Sequence, residues 1–305
     1  MKLAAAVFSL SILAPLSAQT TETEATKHKE DQHTIPKSDH TFTGNLALAS
    51  QYVFRGLSQT DGKPALQGGF DYSHANGFYL GTWLSNISWY TDQNAGVASA
   101  PVALASPGSV GAPYVLGKQN SANLEWDIYA GFKKSFANDW SLDVGTVVYY
   151  YPGIFDNTGA YRQPNTTEVY GQIGYAWMSL KYSRVLGGHF FGVHESGGTD
   201  YVDLSSSIPL WDSGYKLLAH VGHQRYPRRA NTGYWGASGG DNSFFSYTDY
   251  KLGLTKDIGN FVLGVAWTYA NTKHAAPDGE TTAYMNAFGK NIGRDRITLT
   301  ITRNF

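Results

Sequence analysis

The 305-residue chain has no cysteine, which excludes thiol catalysis, disulfide bridges and zinc–thiolate sites together. Charge is scarce as well. Asp, Glu, Lys and Arg make up 15% of the residues and the formal net charge is -1, so no basic surface points to nucleic acid. After the first residues no stretch approaches the roughly 18 consecutive apolar residues of a membrane-spanning helix, which excludes a helical inner-membrane protein. What is abundant instead is tyrosine (21) and glycine (34), with 14% aromatics. That composition fits many strands separated by turns and fits helices poorly.

Met1-Lys2, the apolar run Leu3 to Leu16 and the small residues Ser17-Ala18 have the layout of a secretory signal peptide, residues 1–18, cut after Ala18. Residues 19–41 are rich in Thr, Glu, Lys and His with little to bury, and read as a disordered periplasmic lead-in. Scattered His28, His33 and His40 in such a segment are solvated rather than metal-binding.

From residue 42 to 305 the pattern is alternation. In Phe42–Arg55 the face Phe42, Leu46, Leu48, Tyr52, Phe54 opposes Thr43, Asn45, Gln51 and Arg55. Leu66, Phe70 and Tyr72 oppose Gln67 and Asp71, and Asn76-Gly77 then suits a type I′ hairpin turn. Trp126, Ile128 and Phe132 oppose Glu125, Asp127 and Lys133 in the same way. Ten further runs follow the first two: Phe78–Asn86, Ala122–Lys134, Trp140–Tyr151, Thr167–Tyr175, Trp177–Val185, Thr199–Ile208, Tyr215–Gln224, Ser246–Lys256, Phe261–Tyr269 and Arg294–Phe305. Many have about 9–13 residues, enough to cross a bilayer as tilted strands.

The connections between these twelve runs alternate strictly between short and long. An even-stranded up-and-down barrel puts all short turns and both termini on one rim, whereas a soluble sandwich has no reason to sort loops by parity. The expected fold is therefore all-β: a transmembrane antiparallel barrel of about twelve strands in a bacterial outer membrane. Hydrocarbon leaves no other choice than closure, since it cannot satisfy an open strand edge. The last run, with Ile297, Leu299 and Ile301 on one face and the chain ending at Phe305, resembles the signal read by the barrel-assembly machinery. Arg303 departs from it and would have to snorkel to the interface.

The stretch from Gly44-Asn45 through Tyr52-Val53-Phe54-Arg55-Gly56-Leu57-Ser58-Gln59-Thr60, then Lys63-Pro64-Ala65-Leu66-Gln67-Gly68-Gly69-Phe70-Asp71-Tyr72, then Gly77-Phe78-Tyr79-Leu80-Gly81-Thr82-Trp83 and Ser85-Asn86, resembles the opening signature of the TorF porin family of Gram-negative bacteria. The resemblance implies a porin fold and says little of the solute. The long connections Ile87–Ser121 and Arg225–Phe245 depart from the family pattern.

Function in such a barrel resides in inward side chains and inward-folded loops. Asp71, Glu125, Asp127, Asp143, Glu168, Asp203 and Asp249 are the acidic lumen candidates. Lys133, Lys181, Lys216, Lys251, Arg294 and Arg296, with Arg55 at a strand end, are the basic ones. The two sets nearly balance, so selectivity would have to come from their segregation across the lumen. The connection Ile87–Ser121, with only Asp92 and Lys118 charged, reads as a constriction, a contact with a neighbouring subunit or a disordered loop. Arg225, Arg228 and Arg229 suit anionic solutes or lipopolysaccharide phosphates, or are simply solvated. His220 and His223, three apart in a strand, face opposite sides and make a poor metal pair, and His189, His194 and Glu195 lie among flexible glycines.

The expected work is passive passage of small hydrophilic solutes or ions, with no catalysis, cofactor or metal. The expected partners are outer-membrane lipid, lipopolysaccharide, the assembly machinery and small solutes, and an oligomer is compatible with the sequence. The rivals are a barrel without an open pore, adhesive or structural, and an outer-membrane lipid-modifying enzyme. For the latter, Ser73-His74-Ala75-Asn76-Gly77 imitates a phospholipase motif, but Asn76 stands where the nucleophile belongs, and adjacent Ser73 and His74 point to opposite faces.

Overall fold

The computed structural model describes residues 38–94, 120–155, 163–230, 240–273 and 284–305. The expected signal peptide, residues 19–37 of the expected lead-in and the centre of the 87–121 connection lie outside the described residues. Twelve strands close into one antiparallel barrel: β1 (His40–Ala49), β4 (Ala65–His74), β5 (Phe78–Asn86), β6 (Leu124–Ser135), β7 (Trp140–Tyr150), β8 (Thr166–Tyr175), β9 (Met178–Leu186), β10 (Asp200–Leu210), β11 (Tyr215–Arg225), β12 (Tyr247–Ile258), β13 (Phe261–Ala270) and β14 (Arg296–Asn304). β2 (Val53–Phe54) and β3 (Leu57–Ser58) form a separate small ribbon. Each barrel strand pairs with its sequence neighbour in the barrel, and β1 closes on β14 in the register Asn45↔Asn304 to Ala49↔Thr300. The last strand is shorter than the run read from the sequence. It begins at Arg296, so Arg294 stands in the preceding connection, exposed.

The first tight turn differs from the expected type I′. Of Asn76 and Gly77 only the glycine has a positive φ, 105°. The loop therefore has three residues, 75–77, with Gly77 N–H donating to the His74 carbonyl at 2.9 Å. A three-residue loop places glycine at the left-handed position that follows a type I turn.

Alternation sorts the side chains by face. Leu46, Leu48, Leu80, Ile128, Val144, Leu180, Leu204, Leu252, Val265 and Leu299 stand exposed on the outside, while Asp127, Asp143, Glu168 and Asp249 are buried inside. Two rings of exposed aromatics bound that apolar band. Phe42, Phe70, Phe78, Phe132, Trp140, Tyr175, Tyr215, Phe261 and Phe305 mark the short-turn rim, and Trp126, Tyr150, Tyr250 and Trp267 the long-loop rim. The Arg303 guanidinium lies over the rings of Phe261 and Phe305, 4.9 and 5.8 Å from their centroids. A charge on the lipid face is thus held at interface depth by its aromatic neighbours. A closed barrel that is apolar outside, polar inside and belted by aromatics is the form that satisfies every backbone group within a bilayer. This is a bacterial outer-membrane β-barrel.

Candidate functional site

The first long connection does not stay outside. β1 ends at Ala49, six residues before the end of the run read from the sequence, and the chain then turns into the lumen. Tyr52 and Phe54, expected on the lipid face, follow it inward. Gln51 Nε2 donates to the Ile297 carbonyl at 2.9 Å, and Ser58 N–H to the Ile292 carbonyl at 2.8 Å, tethering the loop to the β14 side. At its tip, Phe54 pairs with Leu57 across Arg55 and Gly56, whose φ values are 45° and 75°. Two positive φ values in a two-residue hairpin are what a type I′ turn requires. For arginine this conformation is unfavourable, and the surroundings hold it there.

Those surroundings are the far walls of the barrel. Arg55 Nη1 donates to Glu168 Oε1 at 3.0 Å and to Gln224 Oε1 at 2.9 Å, and Nη2 donates to Glu168 Oε2 at 2.7 Å. The guanidinium also lies 4.2 Å from the centroid of the Tyr201 ring. A bidentate guanidinium–carboxylate pair with a stacked aromatic exploits the planarity of arginine, which lysine would lack. Phe54 packs edge-on to Tyr149 and Phe191. Tyr52 donates to Glu125 at 2.6 Å and packs against Trp83. The ribbon thus touches β5, β6, β7, β8, β10 and β11, and bars the lumen from one wall to the other.

Gly56 marks the closest approach. A Cβ there would lie 2.6 Å from Asp249 Cβ and 2.9 Å from Ala270 Cβ, on a backbone already at positive φ. Gly56→Ala is therefore expected to lift the ribbon off β12 and β13 at a cost of about 1–3 kcal/mol. Denaturant titration of the refolded protein in vesicles checks this; an unchanged midpoint would show that the approach is not tight.

Of the eight buried acids among the described residues, four meet a tyrosine hydroxyl, as does half-buried Asp71. Tyr129 donates to Asp71 at 2.5 Å, Tyr79 to Asp143 at 2.6 Å, Tyr151 to Glu125 at 2.6 Å, Tyr149 to Glu168 at 3.3 Å and Tyr201 to Asp249 at 2.8 Å. This accounts for much of the tyrosine surplus: a phenol fills volume and supplies the donor that a buried carboxylate needs. Asp127 stands apart, fully buried beside Glu125 with neither carboxylate oxygen hydrogen-bonded among the described residues. His220 links Asp249 to one further acid, Asp203. Its Nδ1 lies 3.1 Å from Asp203 Oδ2, and its Nε2 2.8 Å from Asp249 Oδ2. Ser205 donates to Asp203 at 2.6 Å.

Of the remaining candidates, Lys216 pairs with Asp257 at 2.6 Å near the short-turn rim, and Lys133 stands directly across from Asp143. Arg296, half-buried, reaches the Ile292 and Asn291 carbonyls and, at 3.5 Å, Gln51 Oε1. Lys181 and Lys251 face a cavity of about 190 Å³ below the ribbon, together with Arg55, Asp203, His220 and Asp249. Arg294 contributes nothing to the lumen. Arg225 is exposed and paired with Asp200, and Arg228 and Arg229 are exposed. His223, outside, meets Thr248 Oγ1 at 2.9 Å, opposite in facing to His220. Among the described residues no cluster of His, Asp or Glu is arranged to hold a metal ion.

Sequence reasoning missed Tyr52, Tyr149, Tyr201, Gln224 and His220 as lumen groups. Tyrosines on the polar face of an alternating strand were the available signal. Over the long-loop end of the barrel, Ile87, Tyr90 and Tyr151 form one buried cluster, and Phe190, Val193, Tyr226, Phe244 and Phe245 another. The outer loops thus pack on each other above the ribbon.

A bacterial family described as of unknown function (Gcw_chp) has a model that matches residues 33–305. No curated protein matches the chain in sequence. Among solved structures, a KdgM porin aligns at a TM-score of 0.45 with 7% identity, over 86% of this chain and 99% of that one. OccD3 (OpdP) of Pseudomonas aeruginosa aligns at 0.39 with 11% identity, over 88% and 65%. LpxR from Salmonella typhimurium aligns at 0.38 with 11% identity, over 86% and 99%. Likeness at this level says nothing of solute or reaction.

Proposed function

This chain belongs to the bacterial family Gcw_chp, of unknown function, and we propose that it is a porin that lets small hydrophilic solutes pass through a lumen narrowed by its own first loop. The finer resemblance to the TorF porins, carried by residues 44–86, supports the same reading. One observation carries it: the ribbon at Val53–Ser58 crosses the lumen and leaves beside it a cavity of about 190 Å³ into which charged and hydroxyl side chains project among apolar ones. A barrel built only as a scaffold would fill that space with side chains. Mechanistically, passage needs no energy coupling: water and solute move along the polar wall, and the Arg55–Glu168 pair sets the width. The strand β14, ending before Phe305, is the segment we assign to the assembly machinery, and the outer apolar band is the surface for lipid.

Planar-bilayer recording of the refolded protein tests the reading. Discrete conductance steps, with liposome swelling in small sugars that fades as sugar size grows, are the expected result. Silence in both assays, for the intact protein and for a variant with the ribbon released, would sink it in favour of a closed barrel.

A further inference from the structure

Two of the cations facing the cavity make no ion pair among the described residues. Lys181 on β9 is only 7% exposed, and its ammonium lies 3.9 Å from the centroid of the Tyr170 ring. Neither it nor Lys251 on β12 makes an ion pair or hydrogen bond among the described residues, although both face the cavity. The acids within reach are already engaged. Glu168 is held by Arg55 and Tyr149, Asp203 by Ser205 and His220, and Asp249 by Tyr201 and His220. A ring with a carboxylate at each nitrogen donates from both, so His220 offsets part of the charge of Asp203 and Asp249. The cavity wall is left with an excess of positive charge.

The strands next to Lys251 offer hydroxyls. Thr268 on β13, 6% exposed and paired in register with Lys251, has an Oγ1 with no hydrogen-bond partner among the described residues, and so does Thr298 on β14. Buried ammonium groups and hydroxyls left unpartnered are costly unless a ligand or water completes them. An anion that also carries a hydroxyl completes both sets at once. The volume sets the size: an apolar cavity of roughly 150 Å³ takes benzene, so about 190 Å³ holds roughly six to eight non-hydrogen atoms.

We propose that Lys181 and Lys251, with Thr268 and Thr298 lining the same cavity beside Lys251, form a binding and selectivity site for small organic anions of the hydroxycarboxylate class. This rests on the pore reading for its role in transport, but the binding does not. Asp203 on β10 and Asp249 on β12 share the cavity with the lysines but are bridged by His220, while Glu125, Asp127, Asp143 and Glu168 lie on β6 to β8, so the field of the lysines on β9 and β12 favours anions in that space.

Two measurements separate the site from the pore. Reversal potentials in a tenfold KCl gradient are expected to show anion preference, lost by several-fold in the double variant Lys181→Met and Lys251→Met. Calorimetric titration of the refolded wild type with lactate is expected to give saturable heat, with its neutral isostere lactamide giving none. A conducting, cation-selective pore, or equal responses to lactate and lactamide, would overturn the site and leave the pore reading intact. A silent barrel that binds lactate but not lactamide would do the reverse. The titration uses the wild type, so it decides the matter even where the double variant fails to refold.

Discussion

Arg55→Ala is expected to raise single-channel conductance several-fold and to make it noisy, while the barrel still forms. The guanidinium is the one group that ties the ribbon to β8 and β11 at once, through Glu168 and Gln224. Both members of the pair are buried, with side chains 5% and 1% exposed. Removing the cation alone leaves Glu168 as an uncompensated buried charge, a change that costs about 3–5 kcal/mol when no relief is available. Relief is available here: the ribbon swings away and water reaches Glu168. The loss therefore falls on the closed position of the loop rather than on the strand ladder. Single-channel recording reads the conductance, and heat-modifiable migration on gels reads whether the barrel is intact. An unchanged conductance with an intact barrel would show that the ribbon is not the constriction. Arg55→Lys is expected to behave like a weaker version of the alanine variant, because a point charge cannot bridge two oxygens of Glu168 and stack on Tyr201.

The second large effect concerns the outside. Leu252→Arg, at the middle of β12 and 52% exposed, is expected to destabilise the barrel in lipid by about 2–4 kcal/mol, the cost of a cation at bilayer mid-depth. Thr300→Arg, on the lumen side of β14, is expected to cost far less, since its charge enters a wet, polar space. Guanidinium titration of vesicle-refolded protein measures both. A reversed order would mean that the apolar face is the interior after all, as in a soluble barrel. The Arg303 case shows how the native chain manages this cost: the charge sits at the rim, over two aromatic rings.

The barrel was legible in the sequence because its signals are local. A period of two assigns each residue to lipid or lumen from its immediate neighbours, as with Leu124–Ser135, where Trp126 and Ile128 face out and Glu125 and Asp127 face in. Loop-length parity gives strand direction without any knowledge of partners. Both hold because hydrocarbon imposes one rule along the whole outer face. The lumen imposes none. Its polar face carries no periodic signal to say which acid meets which base, and nothing in Gln51 to Thr60 distinguishes a loop in water from one folded inward. Arg55 meets partners 113 and 169 residues away in the chain. Only closure of the cylinder brings those positions within a side chain's length, and only then does the turn at Arg55-Gly56 have walls to hold its unfavourable backbone. The sequence by itself determined the strands, their facing and the medium they cross. The tertiary structure decided where the lumen narrows, which charges are spent on each other, and which two lysines are left over.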